Sequence, residues 1–281
     1  AGATARRRSR ERARKQDSGR LGMREIAVNT YGYIWSTPAA DCIRRLADLG
    51  YRNFELMIHP PHLPLDGMSA AARRDLRGAV EAAGARITSV NMPSLDQNLA
   101  SAFGRVREAS VAMFLDAIDL VADIGAPWLV TVPGRMSPLF PPSLENRFGW
   151  MRESIERLLP RAEARGIGLA IENVPFASFP DAVNLGAFVR DFSSRSIGVC
   201  YDAANAHFIG EDVAEGVAQL ADLLKVVHLS DTTRQVWRHD RIGLGDVPAE
   251  AFARALDEAG FKGPCTLEII DADSEGALAE S

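Results

Sequence analysis

From Glu25 to Ile269 the chain repeats one pattern: a short β-rich run, then a segment with helical apolar spacing. The runs are Glu25–Asn29, Asn53–Ile58, Arg86–Met92, Trp128–Val132, Gly168–Glu172, Ile197–Tyr201, Lys225–Leu229 and Cys265–Ile269. Between them, Ala39–Leu49, Arg105–Ile124, Leu144–Ala164 and Ala249–Ala259 carry apolar residues at the spacing of one helix face. Gly50, Gly84, Gly125, Gly166 and Gly260 close such segments just before the next run, where a left-handed cap is expected. Pro38, Pro142 and Pro248 stand near helix starts, the complementary signal. Runs as apolar as Trp128–Val132 suit a parallel sheet covered on both faces. Eight such units in 259 residues predict an α/β fold, a single (β/α)8 TIM barrel. The competing fold, a doubly wound open sheet, is disfavoured because Asn29-Thr30-Tyr31-Gly32-Tyr33 is no Gly-rich dinucleotide turn. The C-terminal tail after Ile270 is short and has room only for a short eighth helix. No second domain and no further internal repeat is expected.

Composition sets the remaining bounds. Hydrophobic residues make up 47% and charged residues 25%, the balance of an ordinary folded protein, which excludes a collagen, a coiled coil or wholesale disorder. No apolar run approaches the ~18 residues of a membrane span. Cys42, Cys200 and Cys265 are too few and too scattered for a disulfide framework. The formal net charge of -5 hides an asymmetry: residues 1–22 hold eight basic and two acidic side chains, +6, which leaves -11 on the rest. With almost no large apolar side chains, residues 1–22 are expected to be a disordered basic leader, dispensable or non-native, with Met23 as the start of the barrel at 23–281. An organellar or export-like leader and a nucleic-acid arm are the other readings. A secretory signal is excluded by the lack of an apolar stretch. The acidic body is a poor surface for phosphate backbones, so no nucleic-acid partner and no membrane partner are expected, and the expected compartment is the cytoplasm.

In a (β/α)8 barrel the chemistry sits at the C-terminal strand ends and in the loops after them. Strand five ends Ala170-Ile171-Glu172-Asn173, strand six Cys200-Tyr201-Asp202, strand seven runs Val226-Val227-His228-Leu229, and strand eight ends Thr266-Leu267-Glu268-Ile269. Taken singly, such a Glu is more often a salt-bridged residue and such a His a satisfied core residue. Their recurrence at equivalent positions of successive units changes the weighing. Three carboxylates converging on one barrel mouth would repel each other, and one imidazole cannot neutralise them. A divalent cation can. Three oxygen ligands and one nitrogen suit Mn²⁺, Mg²⁺ or Co²⁺, with Zn²⁺ also open.

The stretches IENVP at 171–175, YDAANAH at 201–207, HLSD at 228–231, HDRIGLGD at 239–246 and LEII at 267–270 resemble the xylose-isomerase-like barrel superfamily over essentially Glu25 to Ile270. That superfamily holds sugar and sugar-phosphate isomerases and epimerases, and also the endonuclease-IV type of DNA-repair nuclease. The resemblance to its ketose epimerases implies Glu172, Asp202, His228 and Glu268 as ligands of one divalent metal ion, with Glu172 and Glu268 as the acid–base pair. It implies an enzyme of carbohydrate metabolism with a small sugar substrate, and it leaves a homo-oligomer open.

Shifting a carbonyl along a sugar, or epimerising beside one, removes a proton next to C=O and leaves an enediolate, whose charge a chelated cation stabilises. Other polar groups would orient hydroxyls. The family more often has a His three residues after the Asp, where Asn205 stands here, so His207 is a candidate replacement. His239 and Arg234, in the long loop after strand seven, are candidate substrate contacts, against the plain reading of a solvated loop. Glu55 at the end of strand two is a further candidate for the mouth, with His59 and His62 in the next loop, against a purely structural role.

Three other functions compete. A dehydratase or lyase on a keto-polyol, of inosose or dehydroshikimate type, would use the same enolisation. An abasic-site endonuclease would need three zinc ions: His239 matches one further ligand, but Asn205, Val132 and Trp237 stand where others belong. A catalytically silent barrel would be a binding module.

Overall fold

The computed structural model describes residues 24–281, so the basic leader lies outside the described residues. Its elements follow in the order β1 (Ile26–Asn29), α1 (Ala39–Asp48), β2 (Asn53–Met57), α2 (Ala70–Ala82), β3 (Arg86–Met92), α3 (Gly104–Ile124), β4 (Trp128–Thr131), α4 (Leu144–Arg165), β5 (Gly168–Glu172), α5 (Ala182–Arg190), β6 (Ile197–Asp202), α6 (Ala203–Phe208), α7 (Val213–Leu220), β7 (Leu224–Leu229), α8 (Ala249–Glu258), β8 (Cys265–Leu267) and α9 (Ser274–Ala279). The eight strands close into a parallel barrel, with β1 pairing β8 in the register Ile26↔Cys265.

Helix spacing explains the outer core. On α3, Val111, Phe114, Ile118 and Val121 recur three and four residues apart and are all buried. Burial of each such side chain contributes about 1.5–3 kcal/mol. The helices stop where the glycines predict: Gly125 (φ 83°) and Gly166 (φ 70°) adopt the left-handed conformation that ends α3 and α4. At the other ends, Ser69, Ser143, Asp181 and Asp212 accept from backbone N–H groups of the first turn.

A separate apolar plug fills the barrel. Val130, Ala170, Cys200 and Val226 pack together from four adjacent strands, with Trp128 against them. Gly168 makes room for that indole, because a Cβ there would lie 2.0 Å from the Trp128 ring. Polar strand ends sit above this plug.

Boundaries differ from the sequence reading by a residue or two. β6 runs through Asp202, while β8 ends at Leu267 and leaves Glu268 just beyond it. Glu268 is still held in register, since its N–H donates to the Leu229 carbonyl at 3.1 Å. The unexpected short helix α6 starts directly after Asp202, whose side chain caps it by accepting from the Asn205 N–H at 2.6 Å. The eighth helix is α9, six residues long.

Candidate functional site

Alternation along a strand sends residues i and i+2 to one face, so Ala170 in the plug puts Glu172 inward, Cys200 puts Asp202 inward, and Val226 puts His228 inward. Thr266 and Glu268 are likewise buried from β8. The four ionisable groups meet at one point: Glu172, Asp202, His228 and Glu268 each offer a ligand atom, all within 4.8 Å of one another. His228 Nδ1 lies 3.1 Å from Glu268 Oε2, 3.3 Å from Glu172 Oε1 and 3.8 Å from Asp202 Oδ2. Asn173 ties two of the strand ends together, accepting from the Asp202 N–H at 2.7 Å and donating to its carbonyl at 3.0 Å.

The donor set fits a divalent cation. Asp202 Oδ2 is buried and has no hydrogen-bond partner, although a buried lone acceptor costs about 1–3 kcal/mol. Three buried carboxylates share that space with one imidazole. Burial raises Glu172 to about 7, against the lowering effect of His228. Burial also raises Asp202, to about 6. Burial would raise Glu268 as well, but the His228 and His239 imidazoles override it and hold that carboxyl at about 2. His228 shows the converse: burial disfavours its charge, yet Cys200, Glu55 and Glu268 around it raise its pKa well above the usual imidazole value.

Above the cluster opens a cavity of about 530 Å³. Glu172 and Glu268 form part of its lining, together with Tyr31, Asn91, Arg135, Asn205, Trp237, Arg238 and His239. His239, expected in the mouth, is there: its Nδ1 lies 3.4 Å from Glu268 Oε2 and accepts or donates to Ser230 Oγ at 3.0 Å.

The other candidate contacts are placed differently. Glu55 is fully buried and does not line the cavity. It lies at His228 instead, Oε1 3.0 Å from Nε2, and accepts from Asn29 Nδ2 at 2.6 Å and Ser89 Oγ at 2.5 Å. It therefore orients the face of the imidazole turned away from the other carboxylates, the arrangement usual for metal-ligating histidines. His207 is buried on α6 and also outside the lining; its Nε2 pairs with Asp246 at 2.7 Å, which ties α6 to the loop after β7. Arg234 is exposed and outside the lining, whereas Arg238 of the same loop lines it. His62 is buried between Thr30 and Thr37, at 2.9 Å and 2.6 Å, and His59 packs edge-on against Trp35.

Sequence reasoning missed Tyr31, Asn91, Arg135 and Arg238. Asn91 had a signal, since it lies near the C-terminal end of β3, the same position that singled out the four ionisable groups. The loop residues had none, because no periodicity reports a loop's path.

The loop after β7 is braced over the mouth. Buried Asp231 accepts from the N–H groups of Gly243 at 2.7 Å and Val247 at 3.0 Å. Trp237 Nε1 donates to Asn205 Oδ1 at 2.8 Å, and its ring stacks on Phe208 and meets Phe176 edge-on. Val132, Asn205 and Trp237, where a three-zinc nuclease would need ligands, thus form the cavity wall.

Comparison with known proteins agrees with this architecture. The family model of the xylose isomerase-like TIM barrel matches residues 43–281. An uncharacterized protein of Methanocaldococcus jannaschii is 28% identical over 64% of this chain and 63% of its own length. A probable endonuclease 4 of Natranaerobius thermophilus is 27% identical over 58% and 63% respectively. Fructoselysine 3-epimerase of Escherichia coli O157:H7 is 23% identical over 83% of this chain and 86% of its own. The chain thus spans 63% of the length of the first two of these relatives. A crystal structure of a D-tagatose 3-epimerase-like protein superposes with a TM-score of 0.79 at 21% identity, over 91% of this chain and 94% of that one.

Proposed function

The chain belongs to the xylose isomerase-like TIM barrel family, and we propose that within it the chain is a divalent-metal-dependent sugar isomerase or epimerase acting on a ketose or keto-polyol. The observation that carries this reading is the convergence of Glu172, Asp202, His228 and Glu268 at the base of the cavity, with Asp202 Oδ2 left without a partner. These four would hold the ion, Mn²⁺ or Mg²⁺ by the preponderance of oxygen donors. When bound, a divalent ion supplies positive charge where a carbonyl oxygen and its neighbour become negative.

The chain's own residues supply the proton chemistry. Glu172 and Glu268 both line the cavity, so each reaches a substrate bound there. Two carboxyl groups facing one substrate let one take the proton from carbon while the other returns one. Glu55, held by Asn29 and Ser89, fixes the tautomer and tilt of His228. Trp237 and Phe176 give the rim of the cavity an apolar face.

The fructoselysine 3-epimerase relative, matched over most of both chains, supports an epimerase. The relatives reported give the keto-polyol dehydratase no support. The endonuclease 4 relative shares the barrel, but the apolar and amide residues Val132, Asn205 and Trp237 offer a three-metal cluster no ligands at those positions. The test is to incubate metal-loaded protein with ketoses and keto-polyols in deuterated water. Solvent deuterium at the carbon next to the carbonyl, without loss of water, is the expected result. Loss of water would replace the isomerase with a dehydratase. A metal content near three ions per chain, rather than near one, would overturn the reading in favour of the nuclease.

A further inference from the structure

The mouth carries a polar edge that proton transfer leaves unused, at the ends of β3 and β4. Asn91 is only 2% exposed, lines the cavity, and its Oδ1 has no hydrogen-bond partner. Ser94 lines the same cavity, and its buried Oγ is also without a partner. Polar atoms left this way cost about 1–3 kcal/mol each, a cost that a ligand's hydrogen bonds can remove.

Two arginines line the same cavity. The Arg135 guanidinium makes one hydrogen bond, to the Ser94 carbonyl at 3.4 Å, and no carboxylate lies within ion-pair distance of it among the described residues. Arg238 comes from the loop after β7, and its nearest carboxylate, Asp240, is 3.8 Å away. Several arginines outside the cavity are closely paired, among them Arg73 with Asp123 at 2.8 Å, Arg107 with Glu153 at 2.7 Å and Arg190 with Asp222 at 2.7 Å. Arg135 and Arg238 line the cavity above the carboxylate cluster without such a close partner. A guanidinium presents a planar fork that matches the oxygens of a phosphate or a carboxylate.

We propose that Ser94, Arg135 and Arg238 bind an anionic group at the end of the substrate remote from the reacting carbon, so that the substrate is an acidic sugar, either a phosphate or a carboxylate. Asn91 accepts a hydrogen bond from a hydroxyl between the two ends. This inference rests on the carbohydrate reading above and narrows it. A volume of about 530 Å³ leaves room for such a substituent.

Calorimetry on the metal-loaded protein tests it with probes that cannot react: a hexitol, the hexitol 6-phosphate and the matching aldonate. At least one anion is expected to bind about tenfold or more tighter than the neutral hexitol. The tighter anion identifies the group. In the double variant Arg135→Met with Arg238→Met, that preference is expected to vanish; both side chains are exposed, so the fold tolerates the change. Equal affinities, or no measurable binding of either anion, overturn the proposal. So does a preference that survives in the double variant, the sign that the metal ion alone captures the anion. If the anion binds through both arginines while no ketose of either charge takes up solvent deuterium, the epimerase reading fails and the edge stands. Deuterium uptake without anion preference overturns the edge alone.

Discussion

At the mouth end of β1 to β4 the barrel interior presents Asn29, Met57, Asn91 and Val132; at the mouth end of β5 to β8 it presents Glu172, Asp202, His228 and Glu268. These four mouth positions are neutral in one half and ionisable in the other, although all eight are built by the same strand alternation, and one layer below them β2 carries the buried carboxylate Glu55. The neutral half is not idle. Asn29 and Ser89 hold Glu55, and Glu55 holds His228, so hydrogen bonds from one half orient a ligand in the other. Concentrating charge on adjacent strands lets a single cation offset the repulsion among three carboxylates. Spread around the barrel, each carboxylate would need its own partner.

The strongest way to break this comparison is to remove one charge from the ionisable half. Glu268→Gln keeps the size of the side chain, and it is expected to lower kcat by roughly a thousandfold or more, with circular dichroism unchanged. A drop of only a few-fold would remove Glu268 from the proton chemistry.

A buried histidine in each half sharpens the contrast. His228, among carboxylates, is raised; His62, between the hydroxyl of Thr30 and the carbonyl of Thr37, is pushed by burial from 6.5 down to about 4. Between those pH values the unfolded chain binds a proton that the folded protein refuses. Stability present above about pH 6.5 is therefore lost as the pH falls towards 4, by up to roughly 3 kcal/mol. Denaturant melts across that window should steepen in the wild type, and His62→Gln should flatten them. An unaltered slope would mean that His62 is protonated in the fold.

Metal linkage probes the ionisable half as a unit. At a concentration a hundred times its Kd, Mn²⁺ should raise unfolding stability by about 2.7 kcal/mol, and Asp202→Asn should remove most of that gain. No shift of the melting curve by any divalent ion would leave the cluster without its cation. The smallest effect tests the link between the halves. Glu55→Gln should weaken metal affinity about tenfold to a hundredfold, measured by calorimetry, with every ligand itself unchanged. Unchanged affinity would make Glu55 a core residue only.

Much of this was legible in the chain. The strand-to-helix alternation with glycine closures located all eight strands within a residue or two, because helix and strand periods are local properties of backbone geometry. Glu172, Asp202 and His228 were legible for the same reason, since each follows an apolar inward residue by two positions. Glu55 and His207 were singled out by a strand end and a spacing, which say nothing of the partners they take in the fold. Glu55 faces His228, 173 residues away in sequence, and His207 turns to Asp246, 39 residues away.

The order of elements, the closed barrel they make and the ionisable strand ends were thus determined by the sequence itself, through periodicities that repeat every two or every 3.6 residues. Which polar side chain meets which was decided only by the tertiary structure. Loop paths obey no period, and Arg238 lines the cavity while Arg234, four residues earlier, does not. The closure of β1 on β8 likewise brings Asn29 within 3.3 Å of Glu268, a contact between the two ends of the barrel that no local pattern encodes.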